Sequence, residues 1–376
     1  MQRIYLDNAA TTPLDPVVLD AMMPYMQDKF GNPSTIYSYG RETRLAIENA
    51  RKSVAKILNA HPAEIFFTSG GTESSNTAIF GAIRDLGCTH IITSSIEHHA
   101  TLHPIEYLEK KKEATVSYVK LKEKGHIDLT DLEYQLQQIS PQKVLVSLIH
   151  ANNEIGNKIS LHEVGEICNR YGAIFHSDTV QTVGHFPFDL RTTPVHFITG
   201  SAHKFYGPKG VGLLYVNENI RIQPFMMGGG QERNMRAGTE NLYGIVGFAK
   251  ALELATASME TVGQYLRELK LFMLEALQQN FPQLIINGDP TGFSNDTVLN
   301  VGFPKNEKTE MLLMNLDMAG ICVSGGSACT SGAAKGSHVI ETIHPGKEII
   351  PVRFSFSKHN TKEEIDRVIQ ELKRHT

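Results

Sequence analysis

Nowhere in the 376 residues does an apolar stretch approach the length of a bilayer span, and the N-terminus lacks a charged head followed by an apolar run. With neither a span nor a secretion signal in view, the expected location is the cytoplasm, without membrane attachment. A basic surplus is also missing: 36 Lys and Arg against 40 Asp and Glu give a formal net charge of -4. Charge therefore offers no ground for nucleic acid or an anionic membrane as a partner. Cysteine is scarce, with four residues at 88, 168, 322 and 329, and reduced thiols are expected. No CxxC pair or His/Cys spacing suggests zinc, and His98 and His99 cannot both face one site from a regular helix or strand. What is present is ordinary folded composition, 41% hydrophobic and 20% charged, in a chain long enough for two lobes around a cleft.

Short β-rich runs alternate with amphipathic stretches. The runs are Glu64 to Thr68, His90 to Ser94, Thr115 to Lys120, Lys143 to His150 and Ala173 to Asp178. Helices are expected at Thr72 to Arg84 and Leu161 to Tyr171, the latter stopped by Gly172. This alternation predicts an α/β fold with a mostly parallel sheet. Two more strands, Val195 to Thr199 and Val211 to Val216, flank Gly200 to Gly210, a functional loop rich in turn formers. Beyond Thr239 the pattern changes. One long helix is expected from about Tyr243 to Gln279, then a strand at Thr297 to Phe303, a helix near Thr309 to Ala319, a strand near Val352 to Phe356 and a final helix from Lys362. This third reads as a smaller α+β domain, giving a division into 14–255 and 1–13 with 256–376.

Lys204, between a histidine and an aromatic in the glycine-rich loop, is by itself compatible with a solvated surface lysine. Asp178 closes an apolar strand, where open α/β sheets bind ligands. A carboxylate there could keep a pyridine nitrogen protonated, or could cap a helix. In Thr68 to Ser74, two glycines precede a helix start bearing hydroxyls, which suits either a phosphate or a capping box at Thr72. Cys329 stands in a run of small residues with nothing to pack a core, which predicts mobility; Cys168, Cys88 and Cys322 read as structural thiols.

The strings YLDNAATTP, FGNPST, TSGGTES, EHHA, HANNEIG, HSDTVQTVG, SAHKFYGPKGVG, MRAGTEN, SGGSACTSG and VRFSFS occur in one order from Ile4 to about Asp366. Together they resemble the NifS/IscS cysteine desulfurases of the class-V aminotransferase group. The resemblance implies a pyridoxal phosphate (PLP) transferase fold, with a large domain built on a mostly parallel seven-stranded sheet and a smaller α+β C-terminal domain. It implies PLP carried on Lys204, which would also move the substrate Cα proton. Asp178 would face the ring nitrogen, Gln181 the ring hydroxyl and His98 the ring face. Gly71, Thr72, Ser201 and His203 would hold the phosphate, with Thr239 reaching the phosphate of the neighbouring subunit in a homodimer. Asn153 and Arg353 would bind L-cysteine, Arg353 gripping its carboxylate in bidentate fashion.

Cys329 would take the substrate sulfur as a persulfide and pass it to an acceptor protein, an iron-sulfur scaffold being one such partner. Its attack needs thiolate, and His98 is the candidate base, with pure stacking as the alternative. Two features depart from the family pattern. The chain stops at Thr376, which puts scaffold docking through a C-terminal tail in doubt, and the stretch from Lys335 to Glu348 is unusual after the cysteine. An aminotransferase or selenocysteine lyase would share Lys204 and Asp178 but not Cys329, and a non-catalytic sulfur carrier would bind no PLP.

Overall fold

The computed structural model describes residues 3–139, 141–326 and 336–376. Its strands are β1 (Ile4–Tyr5), β2 (Ile65–Thr68), β3 (His90–Thr93), β4 (Thr115–Tyr118), β5 (Val144–Ser147), β6 (Ile174–Asp178), β7 (Phe197–Ser201), β8 (Gly212–Val216), β9 (Ile285–Asn287), β10 (Val298–Pro304), β11 (Ile321–Cys322) and β12 (Ile349–Ser355). Seven of them form one sheet in the order β2-β8-β7-β6-β5-β3-β4. Only β8 runs against its neighbours, so the fold is α/β with a mostly parallel sheet flanked by helices.

Sequence and burial agree on why. Strands β2, β3 and β5 are buried at every position, as parallel strands covered on both faces must be, so near-continuous apolar runs replace alternation. The helix Gly71–Arg84 packs on this sheet through Ala78, Ile79 and Ala82, all fully buried.

A second core lies around an antiparallel sheet, β12-β10-β9. The helices Met259–Asn280 and Lys362–His375 cover it through Leu269, Met273, Leu277, Ile365, Val368 and Leu372. The last helix begins at a capping box in which Thr361 and Glu364 satisfy each other's backbone N–H groups. The N-terminal strand joins this region, because β1 pairs with β11 and Leu6 is fully buried in the same core.

One expectation is corrected. The single helix expected from Tyr243 to Gln279 is two, Leu242–Ala257 and Met259–Asn280, broken at Ser258 with φ -112° and ψ 7°. The sequence continues in helix-forming residues across the break, which hid it. The first buries Phe248 and Leu252 in the large-sheet core and the second buries Leu266 and Leu269 in the small one. A straight helix could not serve both. The loop after Gly200 is also more regular than its turn formers suggest, since β7 continues to Ser201 and residues Ala202–Lys204 form a 3₁₀ turn.

Candidate active site

Strands β6 and β7 lie side by side, and their carboxyl ends deliver Asp178 and Ser201 to the same edge of the sheet. The 3₁₀ turn then carries Lys204 back over that edge. Around it is a cavity of about 200 Å³ whose wall contains ten of the twelve sequence-predicted site residues: Gly71, Thr72, His98, Asn153, Asp178, Gln181, Ser201, His203, Lys204 and Arg353. Thr239 is not among them. It lines a separate groove with Thr68, Ser69 and Arg236. Cys329 lies outside the described residues.

The Lys204 ammonium donates to the carbonyls of Ala9 at 2.6 Å and Ala10 at 2.9 Å. Gln181 Nε2 donates to the same Ala9 oxygen at 3.0 Å. These backbone acceptors sit in the YLDNAATTP string, to which the sequence reading gave no role, since alanine side chains carry no chemical signal.

Asp178 is buried, and burial raises its pKa, opposed by a hydrogen bond from Val180 N–H and by the charge of Lys204. One carboxylate oxygen shapes the turn after β6 by accepting from Val180 N–H at 3.0 Å. The expected alternative, a helix cap, is thus half realised, as a turn without a helix.

The helix Gly71–Arg84 starts without a side-chain cap, its N-cap being Gly70, so the capping-box reading of Thr72 does not hold. Its first N–H groups have no intrahelical acceptor and make an anion site with the helix dipole. A Cβ on Gly71 would come within 2.5 Å of Val180 Cγ2, so only glycine lets the helix start approach the cavity.

His98 is the N-cap of the helix His99–Lys110, with Nδ1 accepting from Ala100 N–H at 3.1 Å. Burial, followed by the charge of Lys204, pushes its pKa down to about 4. The ring is neutral at pH 7, and a neutral ring accepting at Nδ1 carries its hydrogen on Nε2. Such a ring can stack or donate but has no free lone pair for a thiol proton, which favours the stacking alternative over the expected base. His99 is the first helical residue, and both rings line an open groove at the cavity mouth. The expectation that two adjacent histidines cannot face one site from a regular helix or strand does not apply here, because His98 is an extended cap and only His99 is helical.

His203 Nδ1 pairs with Thr11 Oγ1 at 3.1 Å, and burial lowers its pKa to about 4. Arg353 is almost fully buried, donating to Asn153 O at 2.8 Å and to Asp7 Oδ1 at 2.7 Å. Its Nε–H has no partner among the described residues, a buried donor left for a ligand. Of the other thiols, Cys168 and Cys88 are buried as expected, whereas Cys322 is partly exposed in β11. Burial raises all three pKa values, Cys88 to about 11. None of the three is poised as a nucleophile.

A lysine amine, a buried carboxylate, a glycine-bounded helix start and an unpaired arginine N–H around one cavity fit PLP: an amine for its aldehyde, an anion for its ring nitrogen and a cradle for its phosphate. Fold and site thus define a PLP-dependent enzyme. The sequence profile described as Aminotransferase class-V matches residues 4–368. A curated relative, "Cysteine desulfurase IscS" of Dictyoglomus turgidum, is 42% identical over 377 residues, spanning 99% of this chain and 94% of the relative. Among solved structures, a "NifS-like protein" superposes with a TM-score of 0.90 at 34% identity, covering 99% of both chains. Another, titled "SspA in complex with cysteine", gives a TM-score of 0.81 at 29% identity over 95% of this chain and all of the other. The chain belongs to the class-V aminotransferase family, among its NifS/IscS-type cysteine desulfurases.

Proposed function

We propose that this protein converts L-cysteine to L-alanine and moves the sulfur to Cys329 as a persulfide for delivery to an acceptor protein. The observation that carries the reading is Lys204 and Asp178 on the wall of one cavity with the Gly71 helix start. PLP, when bound, supplies the electron sink that stabilises charge at the substrate Cα. Lys204 Nζ would hold the cofactor through its aldehyde and would take the Cα proton. Asp178 would keep the ring nitrogen protonated, and Gln181 would address the ring hydroxyl. His98 would cover the ring face. Ser201, His203, Thr72 and the N–H of Gly71 would hold the phosphate.

Arg353 orients the substrate carboxylate through its unpaired Nε–H, beside Asn153. The Cys329 thiolate attacks the substrate sulfur, so an S–S bond forms and the S–Cβ bond breaks. The electron pair of the broken bond stays with carbon, which takes up protons and leaves as L-alanine, while the sulfur is held on Cys329 at the persulfide level. The raised pKa values of Cys88, Cys168 and Cys322 support assigning the step to Cys329.

The working unit in this reading is a cytoplasmic homodimer, each subunit divided into 14–255 and 1–13 with 256–376. Thr239 serves the partner's phosphate, which accords with its position outside its own subunit's cavity. Exposed Phe30, Ile36, Tyr37 and Tyr39 supply apolar surface for such pairing. The scheme is tested by Cys329→Ala, which is expected to keep bound, yellow PLP and lose alanine and sulfide formation; retained turnover would overturn it.

A further inference from the structure

The unusual stretch after the cysteine makes contacts that the catalytic reading leaves without a purpose. Ser337 Oγ donates to Glu154 Oε2 and also accepts from Ile340 N–H at 3.1 Å, capping the helix His338–Ile343. His338 Nε2 hydrogen-bonds the Glu97 carbonyl at 3.0 Å, and its ring stacks on His99 at 4.6 Å between centroids. Val339 and Ile340 are buried against Ile96 and Ile155. These partners flank two residues of the cavity wall: Glu97 and His99 on either side of His98, Glu154 and Ile155 directly after Asn153.

The upstream end of the segment that carries Cys329 arrives at the same place. A Cβ on Gly326 would stand 3.0 Å from Ser337 Cβ and 3.1 Å from Glu154 Oε2. Residues 326 and 337 therefore meet over one carboxyl group. Glu154 is itself fully buried, and its other oxygen has no hydrogen-bond partner among the described residues. A buried carboxyl left half-satisfied is costly unless its remaining contact matters.

We infer that Glu154, Ser337 and His338 are positioning residues that pin both ends of the Cys329-bearing segment to the cavity wall, so that the pin governs how the thiol is presented to the substrate sulfur. The inference rests on the proposed role of Cys329. The pin acts on the sulfur-transfer step and not on PLP or L-cysteine binding, because none of its three side chains lines the cavity. Removing the Ser337 hydroxyl alone would also uncap the helix, so the informative change keeps the cap and breaks the pin. Ser337→Asp does this: aspartate caps as well as serine, yet it sets a carboxyl group against Glu154. Ser337→Thr keeps both interactions.

The experiment uses full-length holoenzyme of the parent, both Ser337 variants, His338→Ala and Cys329→Ala. Alanine formation is measured against L-cysteine concentration, and alkylation of Cys329 by iodoacetamide is followed by peptide mass spectrometry. Ser337→Asp is expected to lower kcat by about ten- to a hundredfold with KM and PLP content unchanged, the scale of a small misplacement of a reacting group. Its Cys329 alkylation rate should change as well, Ser337→Thr should behave like the parent, and His338→Ala should shift in the same direction as Ser337→Asp. Should Ser337→Asp fail to fold, His338→Ala carries the same reading. Parent-like kcat and alkylation in the folded variants, or a fall in PLP or L-cysteine affinity in place of kcat, would overturn the pin. If those appear while Cys329→Ala is inactive, only the pin fails; turnover by Cys329→Ala would instead remove the catalytic reading beneath it.

Discussion

Two side chains in the cavity, Asp178 and Arg353, and one next to its wall, Glu97, have environments that set their behaviour individually. Among the described residues Asp178 is the only carboxylate lining the cavity, so Asp178→Asn should leave PLP bound while slowing alanine formation by at least about a hundredfold, the lower bound for losing a proton-holding group. Steady-state assay of the coloured variant measures this. Arg353→Lys would retain charge but lose the planar fork that spans Asn153 O, Asp7 and the unpaired Nε–H. KM for L-cysteine should rise about tenfold or more, the value of one charge-assisted hydrogen bond.

Glu97 offers a test in stability. Burial raises its pKa to about 8, with Ser94 and Ile149 N–H donating to one oxygen in opposition. Between its unfolded pKa near 4.5 and about 8, the folded state binds the proton more tightly, so stability is full below that range and falls as pH rises through it. Glu97→Gln removes this loss. Its melting temperature should draw level with or exceed the parent's as pH climbs from 5 to 9, and a parallel pair of curves would contradict the assignment.

At the scale of elements, strands β5 and β6 were readable as apolar runs, and Asp178 was readable because it terminates one. The break at Ser258 was not, since helix-forming residues continue across it and only the existence of two cores requires it. The Ala9 and Ala10 carbonyls were likewise invisible: backbone acceptors leave no mark in residue type. The capping reading of Thr72 failed because Gly71, one residue earlier, already begins the helix, against Val180. That close approach predicts the effect of Gly71→Ala. The added methyl must displace Val180 or the helix start at an overpacking cost of about 1–3 kcal/mol, and PLP should dissociate about tenfold more readily in an equilibrium dialysis measurement.

At the scale of the whole molecule, Thr239 lies apart from the Lys204 cavity within one chain, and its proposed phosphate contact calls for a second subunit. Sedimentation equilibrium should give a dimer, and Thr239→Ala should weaken PLP retention in the dimer without changing its mass. The family motifs made most of the cavity legible in advance; the pin at Glu154 was not, since neither its carboxyl nor Ser337 has a chemical signature. The central claim is that one amine and one thiol cooperate on a single sulfur atom. The most direct measurement is peptide mass spectrometry of the holoenzyme after one turnover with L-cysteine. The account predicts one added sulfur atom on Cys329, in step with alanine released, and none in Lys204→Ala. Alanine formed with Cys329 unmodified, or the sulfur found on Cys322, would contradict it.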